Sequence, residues 1–492
     1  MSAQTQDHSR QTDGVPLCVD LDGTLIRGDL LVEGYLRCVK ANFFYAVLAL
    51  FWLLRGKAHL KAQIASRAFL EVALLPVHDQ FLQWLRGEHR RGRRLVLCTA
   101  ANATEATKIS EHFGIFESVL SSDAVTNLSG AAKASRLAQE FGVYGFDYAG
   151  NELKDLNVWR TARNAIVVAP SMALQRRLKA VARVEQVFTT EPPSLSTWAR
   201  ALRVHQWAKN VLVFVPALAS HTILDPGVMA ASVLAFLWFG FCASGTYLIN
   251  DLLDLDADRM HARKRARPLA AGTIPLTHGI AAALTLITGA FIGALLTLSY
   301  WFSVALLVYL AATLLYSFKL KRIAMVDALS LAGLYTVRVI AGGAAIAIMP
   351  TFWLLALSMF VFLSLAMVKR YTELRSVLAT GKSVAAGRGY TTDDLPLLLA
   401  CGISSGFLSV LVLALYINVG ANDLYRDPHS LWLLCPLLLY WVCRVWQKTH
   451  RGELHDDPVV FALRDKPSLF VAISAGVLAW ISAQSMFTLP WA

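Results

Sequence analysis

Charged residues are scarce in this chain. Asp, Glu, Lys and Arg together make up 16% of 492 residues, against 56% hydrophobic ones, where an ordinary soluble domain carries about 25% charged residues. Acids are scarcer than bases, 34 to 46, which leaves a net charge of +12. That surplus does not point to nucleic acid. No zinc-finger, basic-zipper or RNA-binding pattern accompanies it, and the basic residues fall mainly in loops between apolar runs, where a membrane protein places them. The seven cysteines, at 18, 38, 98, 242, 401, 435 and 443, contain no CxxC pair. This argues against a zinc site or a disulfide framework and fits a reducing compartment. Residues 1–14 are polar and hold no apolar h-region, so we expect a disordered start and no cleavable signal peptide. No strong internal repeat is evident.

What is present divides in two. Up to about Ser196 the sequence is mixed and charged. From about Val211 onward, apolar runs recur at lengths that match a bilayer's hydrocarbon core. We expect a soluble α/β domain over 15–190, a linker helix with Trp198, Arg200, Arg203, Trp207 and Lys209 at the membrane interface over 191–209, and an all-α membrane domain over 210–492. The expected spans, about nine, are 210–222, 228–250, 276–298, 301–318, 325–347, 351–369, 395–418, 431–447 and 468–488. Loops 251–275, 319–322, 370–394 and 448–467 carry the basic residues, among them Arg263, Lys321, Arg375, Lys382 and Lys448, while only Arg426 stands out in the alternate loops. The positive-inside rule then predicts a multi-pass protein of the inner (plasma) membrane, with the N-terminal domain cytoplasmic and the C-terminus outside.

In the soluble part, Leu17-Cys18-Val19 reads as a short strand followed at once by Asp20-Leu21-Asp22-Gly23-Thr24. Two carboxylates at the C-terminal end of an α/β strand sit where ligand sites form. The first can attack phosphorus and the second can protonate the leaving oxygen. Gly23 permits the sharp turn. A second strand, Arg94 to Cys98, ends in Thr99. Lys133 follows Gly130-Ala131-Ala132, and an acidic loop runs from Tyr148 to Asp155. These four ordered motifs resemble the haloacid dehalogenase (HAD) superfamily of phosphatases. The resemblance implies a Rossmann-like domain with a helical cap at about 29–90. It also implies Asp20 and Asp22 as catalytic groups, Thr99 and Lys133 on the phosphoryl group, and Mg2+ held by Asp20, Asp22, Asn151 and Asp155. Asn151 departs from the family's usual Asp and brings less charge. The apolar stretch Phe43–Leu54 within the cap is too short to span a bilayer. It reads either as a buried cap helix or as a patch dipping into lipid.

The second expected span ends in Asn250-Asp251-Leu252-Leu253-Asp254-Leu255-Asp256-Ala257-Asp258. Asn250, Asp254 and Asp258 recur every four residues, and Asp251 joins their helical face. Carboxylates this close repel unless cations bind, and magnesium holding a diphosphate is the natural partner. The element resembles the UbiA superfamily of intramembrane prenyltransferases, as does the following basic segment with Arg263, Lys264, Arg265 and Arg267. Four further segments resemble the decaprenyl-phosphate phosphoribosyltransferase branch: Arg203 to Asn210, Tyr316 to Lys321 with Asp327 and Arg338, Lys369 to Leu374, and Asp457 to Asp465. Where aromatic prenyltransferases of the superfamily tend to carry DxxxD, this chain has Asp327 followed at +4 by Leu331, so one acid remains. Arg338 lies about 16 Å deeper along a helix, where a buried guanidinium needs an anion.

The resemblance implies transfer of a phosphoribosyl group from phosphoribosyl diphosphate to polyprenyl phosphate. Catalytic Asp251, Asp254 and Asp258 would hold Mg2+ together with Asn250. Lys209, Arg265, Tyr316, Lys319, Asp327, Arg338, Lys369 and Arg370 would contact substrate. The phosphatase domain would remove the product's 5-phosphate. Two alternatives stand beside it: prenylation of an aromatic or other small acceptor from a prenyl diphosphate, and a non-catalytic transporter or scaffold.

Overall fold

The computed structural model describes residues 14–484 apart from positions 69, 124–126, 179, 382, 385–387, 422–424, 426 and 455–456, and apart from the side chains of His429 and Gln484. The expected disorder before Gly14, the loop charges Lys382 and Arg426, and the side on which the C-terminus lies all fall outside the described residues. The chain forms two compact units. One comprises residues up to Ala201 together with Leu248–Ala282, and the other comprises Leu202–Tyr247 with Ala283 onward.

The first unit is built on a parallel sheet of six strands: β1 (Leu17–Val19), β2 (Leu95–Asn102), β3 (Ser118–Ser122), β4 (Asp147–Gly150), β5 (Ala165–Val168) and β6 (Val184–Phe188), in the order β3-β2-β1-β4-β5-β6. In register, Val19 pairs with Leu97 on one side and Ala149 on the other. β1, β4 and β5 are buried along their whole length, as a parallel sheet covered on both faces requires. The order reverses between β1 and β4, and an open α/β sheet offers its ligand crevice at that point. The α/β architecture expected from the sequence is therefore present.

After β1 come α1 (Leu30–Ala41), α2 (Phe44–Leu54), α3 (Lys57–Ala65) and α4 (Asp79–Arg90). Asp29 caps α1 by accepting from the amides of Leu31 and Val32. α4 does not belong with the cap. Its Phe81, Leu82 and Leu85 join the core beneath the sheet with Leu17, Leu97 and Ile166. α2 is also not the buried helix of one expectation: only Ala49 and Trp52 are buried on it.

The remaining helices of the domain are α5 (Ala103–Phe113), α6 (Ala131–Phe141), α7 (Leu156–Trp159), α8 (Met172–Leu178) and α9 (Leu195–Ala201). Beyond them lie α10 (Val215–Ala219), α11 (Pro226–Leu253), α12 (Leu255–Met260), α13 (Leu276–Thr297), α14 (Tyr300–Phe318), α15 (Val326–Ala345), α16 (Phe352–Ala379), α17 (Leu395–Val419), α18 (Leu434–Arg451), α19 (Pro458–Arg464) and α20 (Lys466–Gln484).

Eight helices among the described residues are long and apolar enough to cross a membrane: α11, α13 to α18 and α20. The ninth expected span, 210–222, takes another form. Val204–Phe214 is a 3-10 helix, and α10 continues it for five residues. At about 2.0 Å per residue in the 3-10 part and about 1.5 Å in the α part, the run reaches roughly 30 Å, a hydrocarbon-core thickness. Close packing explains its tight path: a Cβ on Gly342 of α15 would lie 2.0 Å from the carbonyl oxygen of Val213. Trp207, expected at the interface, instead packs on Gly240, Phe236 and Phe241, and its indole N–H donates to Ser244.

Candidate functional sites

In the first unit, Asp20 follows β1 at the switch point, and its amide donates to the Ala149 carbonyl on β4 at 2.9 Å. Lys133 Nζ, on α6, donates to Asp20 Oδ1 at 2.8 Å and to the Tyr148 hydroxyl at 3.0 Å. Tyr148 in turn donates to Asp155 Oδ1 at 3.0 Å, whose other oxygen accepts from the amides of Asn151 and Glu152. Gly23 has φ +71°, and a Cβ there would lie 2.1 Å from Asn151 Nδ2. Any larger residue would displace the asparagine that Thr24 Oγ1 orients by donating to Oδ1 at 3.1 Å. Thr99 is fully buried, and its hydroxyl accepts from the Ala101 amide. Three of the four motifs therefore converge through Asp20, Lys133 and Asp155. Asp20, Asp22, Lys133 and Asp155 line one cavity of about 430 Å³ with Lys61, Glu105 and Asn127, three residues the sequence did not single out.

The charges in this cavity are perturbed by burial. Asp22 is held well above the usual carboxylate range by desolvation and then by the charge of Asp29, which suits a proton donor. Burial works to lower Lys133, but the neighbouring Asp20 outweighs it and holds the ammonium above its ordinary value. The oxygen-only set Asp20, Asp22, Asn151 and Asp155 suits a hard divalent cation, although among the described residues no three His, Cys, Asp or Glu side chains converge at metal-binding distance.

Glu105 gives a test of this electrostatic account. Burial raises its carboxyl from 4.5 to about 7. A raised folded value contributes stability below pH 4.5 that is lost as pH rises through 7. Glu105→Gln is therefore expected to match wild type at pH 4 and to exceed it by about 3 kcal/mol at pH 8, from roughly 2.5 units at 1.36 kcal/mol each. Unfolding of the full chain in detergent at the two pH values measures this. An equal difference at both would contradict it.

The acidic motif belongs to the same unit. α11 ends at Leu253 and α12 begins at Leu255, so the expected continuous face is interrupted at Asp254, although the amides of Asp254 and Asp258 still donate to the carbonyls four residues back. Arg267 Nη1 lies between Asp251 (3.0 Å) and Asp258 (2.6 Å). Lys40 of α1 pairs with Asp254 at 3.3 Å, Arg37 with Asp256 at 2.7 Å, and Glu33 with Arg259 at 2.9 Å. Arg265, the expected substrate contact, is exposed, and Arg267 takes the place among the acids. The signal for the α1 contacts was present but unread: Glu33, Arg37 and Lys40 share one helical face at i, i+4, i+7. Asn250, Asp251, Asp254 and Asp258 again offer oxygen donors only, the set a hard divalent cation takes.

The second unit holds two polar clusters. In one, the phenol of Tyr335 on α15 is the hub. Lys209 Nζ lies 5.8 Å and Arg338 Cζ 5.7 Å from its ring centroid, and its hydroxyl donates to Asp457 at 3.4 Å. Lys209 and Lys369 donate to the same Asp457 oxygen at 2.6 and 3.2 Å. Arg338 is buried with no carboxylate partner among the described residues. It donates to Asn210 Oδ1, the Leu334 carbonyl and the Tyr309 hydroxyl, and stacks on Phe239 and Tyr309. Two lysines thus share the Asp457 carboxylate, and the Arg338 guanidinium lies beside them without one.

In the other cluster, fully buried Asp327 accepts from Tyr316 at 2.8 Å, from Arg388 at 3.2 Å and from Arg370 Nη2 at 3.2 Å, and it forms an ion pair with Arg370 Nε; Arg370 also pairs with Glu373. Lys319 is exposed. Asn210, Glu373 and Asp457 lie in the motif segments without being candidate site residues, and Tyr335 and Arg388 carry no motif signal.

The family model of UbiA prenyltransferases matches residues 211–485, more than half of the chain. The chain belongs to the UbiA prenyltransferase family. The y4nM protein of Sinorhizobium fredii is 36% identical to this UbiA member over 93% of this chain and 89% of its own. The decaprenyl-phosphate phosphoribosyltransferase of Mycobacterium tuberculosis is 32% identical over 61% of this chain and 96% of its own. A solved UbiA homologue from Archaeoglobus fulgidus, bound to geranyl diphosphate and Mg2+, is 15% identical, with a TM-score of 0.47 over 58% of this chain and 99% of its own. This UbiA chain is therefore a multi-pass membrane enzyme whose helical part follows an α/β domain built on a six-stranded parallel sheet.

Proposed function

We propose that the helical domain transfers a phosphoribosyl group from phosphoribosyl diphosphate to polyprenyl phosphate, and that the α/β domain then removes the 5-phosphate. The excess of cations around Tyr335, with Lys209 and Arg338 buried and Lys369 half-buried, carries the reading. Lys209 and Lys369 share the single carboxylate of Asp457, Arg338 has no carboxylate partner among the described residues, and Asn210 Nδ2, buried beside Arg338, has no hydrogen-bond partner among them. Such a site favours an anionic head group over a neutral phenol. The single acid at Asp327 and the likeness to phosphoribosyltransferases over nearly their whole length support the same choice.

In the transfer, the bond from the anomeric carbon to the diphosphate oxygen breaks, and an oxygen of the lipid phosphate takes its place. Lys209, Lys369 and Arg338 hold and orient that phosphate, so that catalysis is positioning and charge neutralisation. Magnesium on Asn250, Asp251, Asp254 and Asp258 would supply charge compensation to the diphosphate. In the α/β domain, Asp20 attacks phosphorus, Lys133 holds it aligned through their ion pair, and Asp22 gives a proton to the departing ribose oxygen. Water then cleaves the aspartyl phosphate. Thr99 closes the phosphate-binding end, and Mg2+ on Asp20, Asp22, Asn151 and Asp155 would screen carboxylate from phosphate. Tethering both steps on one chain raises the effective concentration of a slowly diffusing lipid intermediate. The distribution of basic loops supports a cytoplasmic α/β domain on an inner-membrane protein.

Mass spectrometry of the lipid product tests the pairing. Wild type is expected to yield polyprenylphosphoryl ribose, and Asp20→Asn the same lipid heavier by one phosphate. Identical products from both would separate the two domains.

A further inference from the structure

α2 carries eleven residues, Phe-Tyr-Ala-Val-Leu-Ala-Leu-Phe-Trp-Leu-Leu, without one charged or strongly polar side chain. A helix apolar all round is either buried in a core or immersed in lipid. This helix is not buried: Phe44 is 78% exposed, Phe51 60% and Leu54 83%, and Leu50 points outward with them. At about 16 Å it is too short to cross a bilayer.

Its level is set by its neighbour. Through Glu33–Arg259, Arg37–Asp256 and Lys40–Asp254, α1 is fixed to the loop that leaves α11. Asp254 follows directly on Leu253, the last residue of a 28-residue membrane helix, and α2 starts four residues after Lys40. The apolar helix therefore begins where a membrane span ends. Basic residues flank it, Lys40 before and Arg55 and Lys57 after, as an interfacial helix on anionic lipid requires. At its far end Leu53 lines the phosphatase-like cavity, followed by Lys57, Leu60, Lys61 and Ile64 of α3, opposite Asp20 and Asp22. Gly56, at φ +106°, makes the turn between the two helices.

We propose that α2 lies in the membrane surface as an in-plane helix and delivers to the α/β domain phosphomonoesters borne on long-chain lipids. The apolar wall of Leu53, Leu60 and Ile64 receives the base of the lipid, and Lys57 and Lys61 receive charge between lipid and terminal phosphate. Hydrolysis consumes one water and releases inorganic phosphate, leaving the lipid-bound alcohol in the bilayer. The substrate class rests on the phosphatase reading; the lipid contact does not.

The full chain is reconstituted in phosphatidylglycerol vesicles containing a phospholipid with a photoactivatable group in its acyl chain. After irradiation, labelled peptides are mapped by mass spectrometry. Label is expected within Phe43–Leu54 as well as in the long spans. Label confined to the spans, or crosslinking of α2 to a second protein chain, would overturn the proposal. The double variant Leu50→Glu, Phe51→Glu is expected to lose that label. It should hydrolyse vesicle-borne polyprenylphosphoryl ribose 5-phosphate about tenfold more slowly, with p-nitrophenyl phosphate turnover within about twofold of wild type. Loss of both activities together would contradict a delivery role. A wild-type chain that hydrolyses neither substrate would sink the phosphatase reading alone, because the label still decides the lipid contact.

Discussion

Asp254→Asn is expected to abolish transfer, lowering diphosphate release from phosphoribosyl diphosphate by roughly 10³-fold. Asparagine keeps the size of the side chain and its capacity to accept a hydrogen bond, but it removes the negative charge. The residue stands in the break between α11 and α12, with Asp251 and Asp258 gathered on Arg267 nearby. Asp254 also pairs with Lys40, so a purely structural role in anchoring α1 must be separated from binding. Lys40→Met makes the separation. It breaks the same ion pair, and because both partners are partly exposed, transfer should stay within about threefold of wild type. Equal damage from the two substitutions, measured as diphosphate released by the full chain in vesicles, would reassign Asp254 to anchoring. Hydrolysis of p-nitrophenyl phosphate should be unchanged in both.

Asp327→Ala is expected to cost about 3–5 kcal/mol of stability, because it removes the shared carboxylate between Arg370, itself buried, and Arg388. Removing one member of a buried ionic network leaves the others uncompensated in low dielectric. Glu373, the remaining acid, is partly exposed and already engaged by both arginines. Thermal unfolding in detergent is the measurement. A variant that unfolds like wild type yet no longer transfers would show that Asp327 contacts substrate and does not primarily hold the arginines in place.

These two residues also show how far the sequence could be read. The acidic motif was legible because carboxylates at a membrane edge are costly and recur at helical spacing, although the break at Asp254 interrupts the single face that spacing implies. What spacing could not reveal is their pairing with cations from α1, which lies 219 positions earlier at Arg37–Asp256. Asp327 was legible as the one acid left in its motif. Its enclosure by Arg370 and Arg388 depends on the packing of α15 against α16, which no local pattern encodes. The eight long spans followed from apolar runs of bilayer length. The segment 204–219 did not, because its 3-10 winding is set by the close approach of Gly342 to Val213. In the α/β domain, strand ends and glycine turns bring Asp20, Lys133 and Asp155 to one cavity, while Thr99 is buried behind it and accepts from the Ala101 amide. Glu105 and Lys61 became visible only when α3 and α5 were seen to close the same cavity. By sequence α2 read either as a buried cap helix or as a patch dipping into lipid, and its exposure rules out the buried reading.

The central claim is that this enzyme moves a phosphorylated sugar onto a lipid phosphate. The purified full chain in vesicles with polyprenyl phosphate, Mg2+ and ribose-labelled phosphoribosyl diphosphate should carry the label into the lipid fraction and release one diphosphate for each lipid modified. No diphosphate should appear when a prenyl diphosphate and a phenolic acceptor are supplied instead. Diphosphate released only with the prenyl donor, and no sugar label in the lipid, would contradict the account.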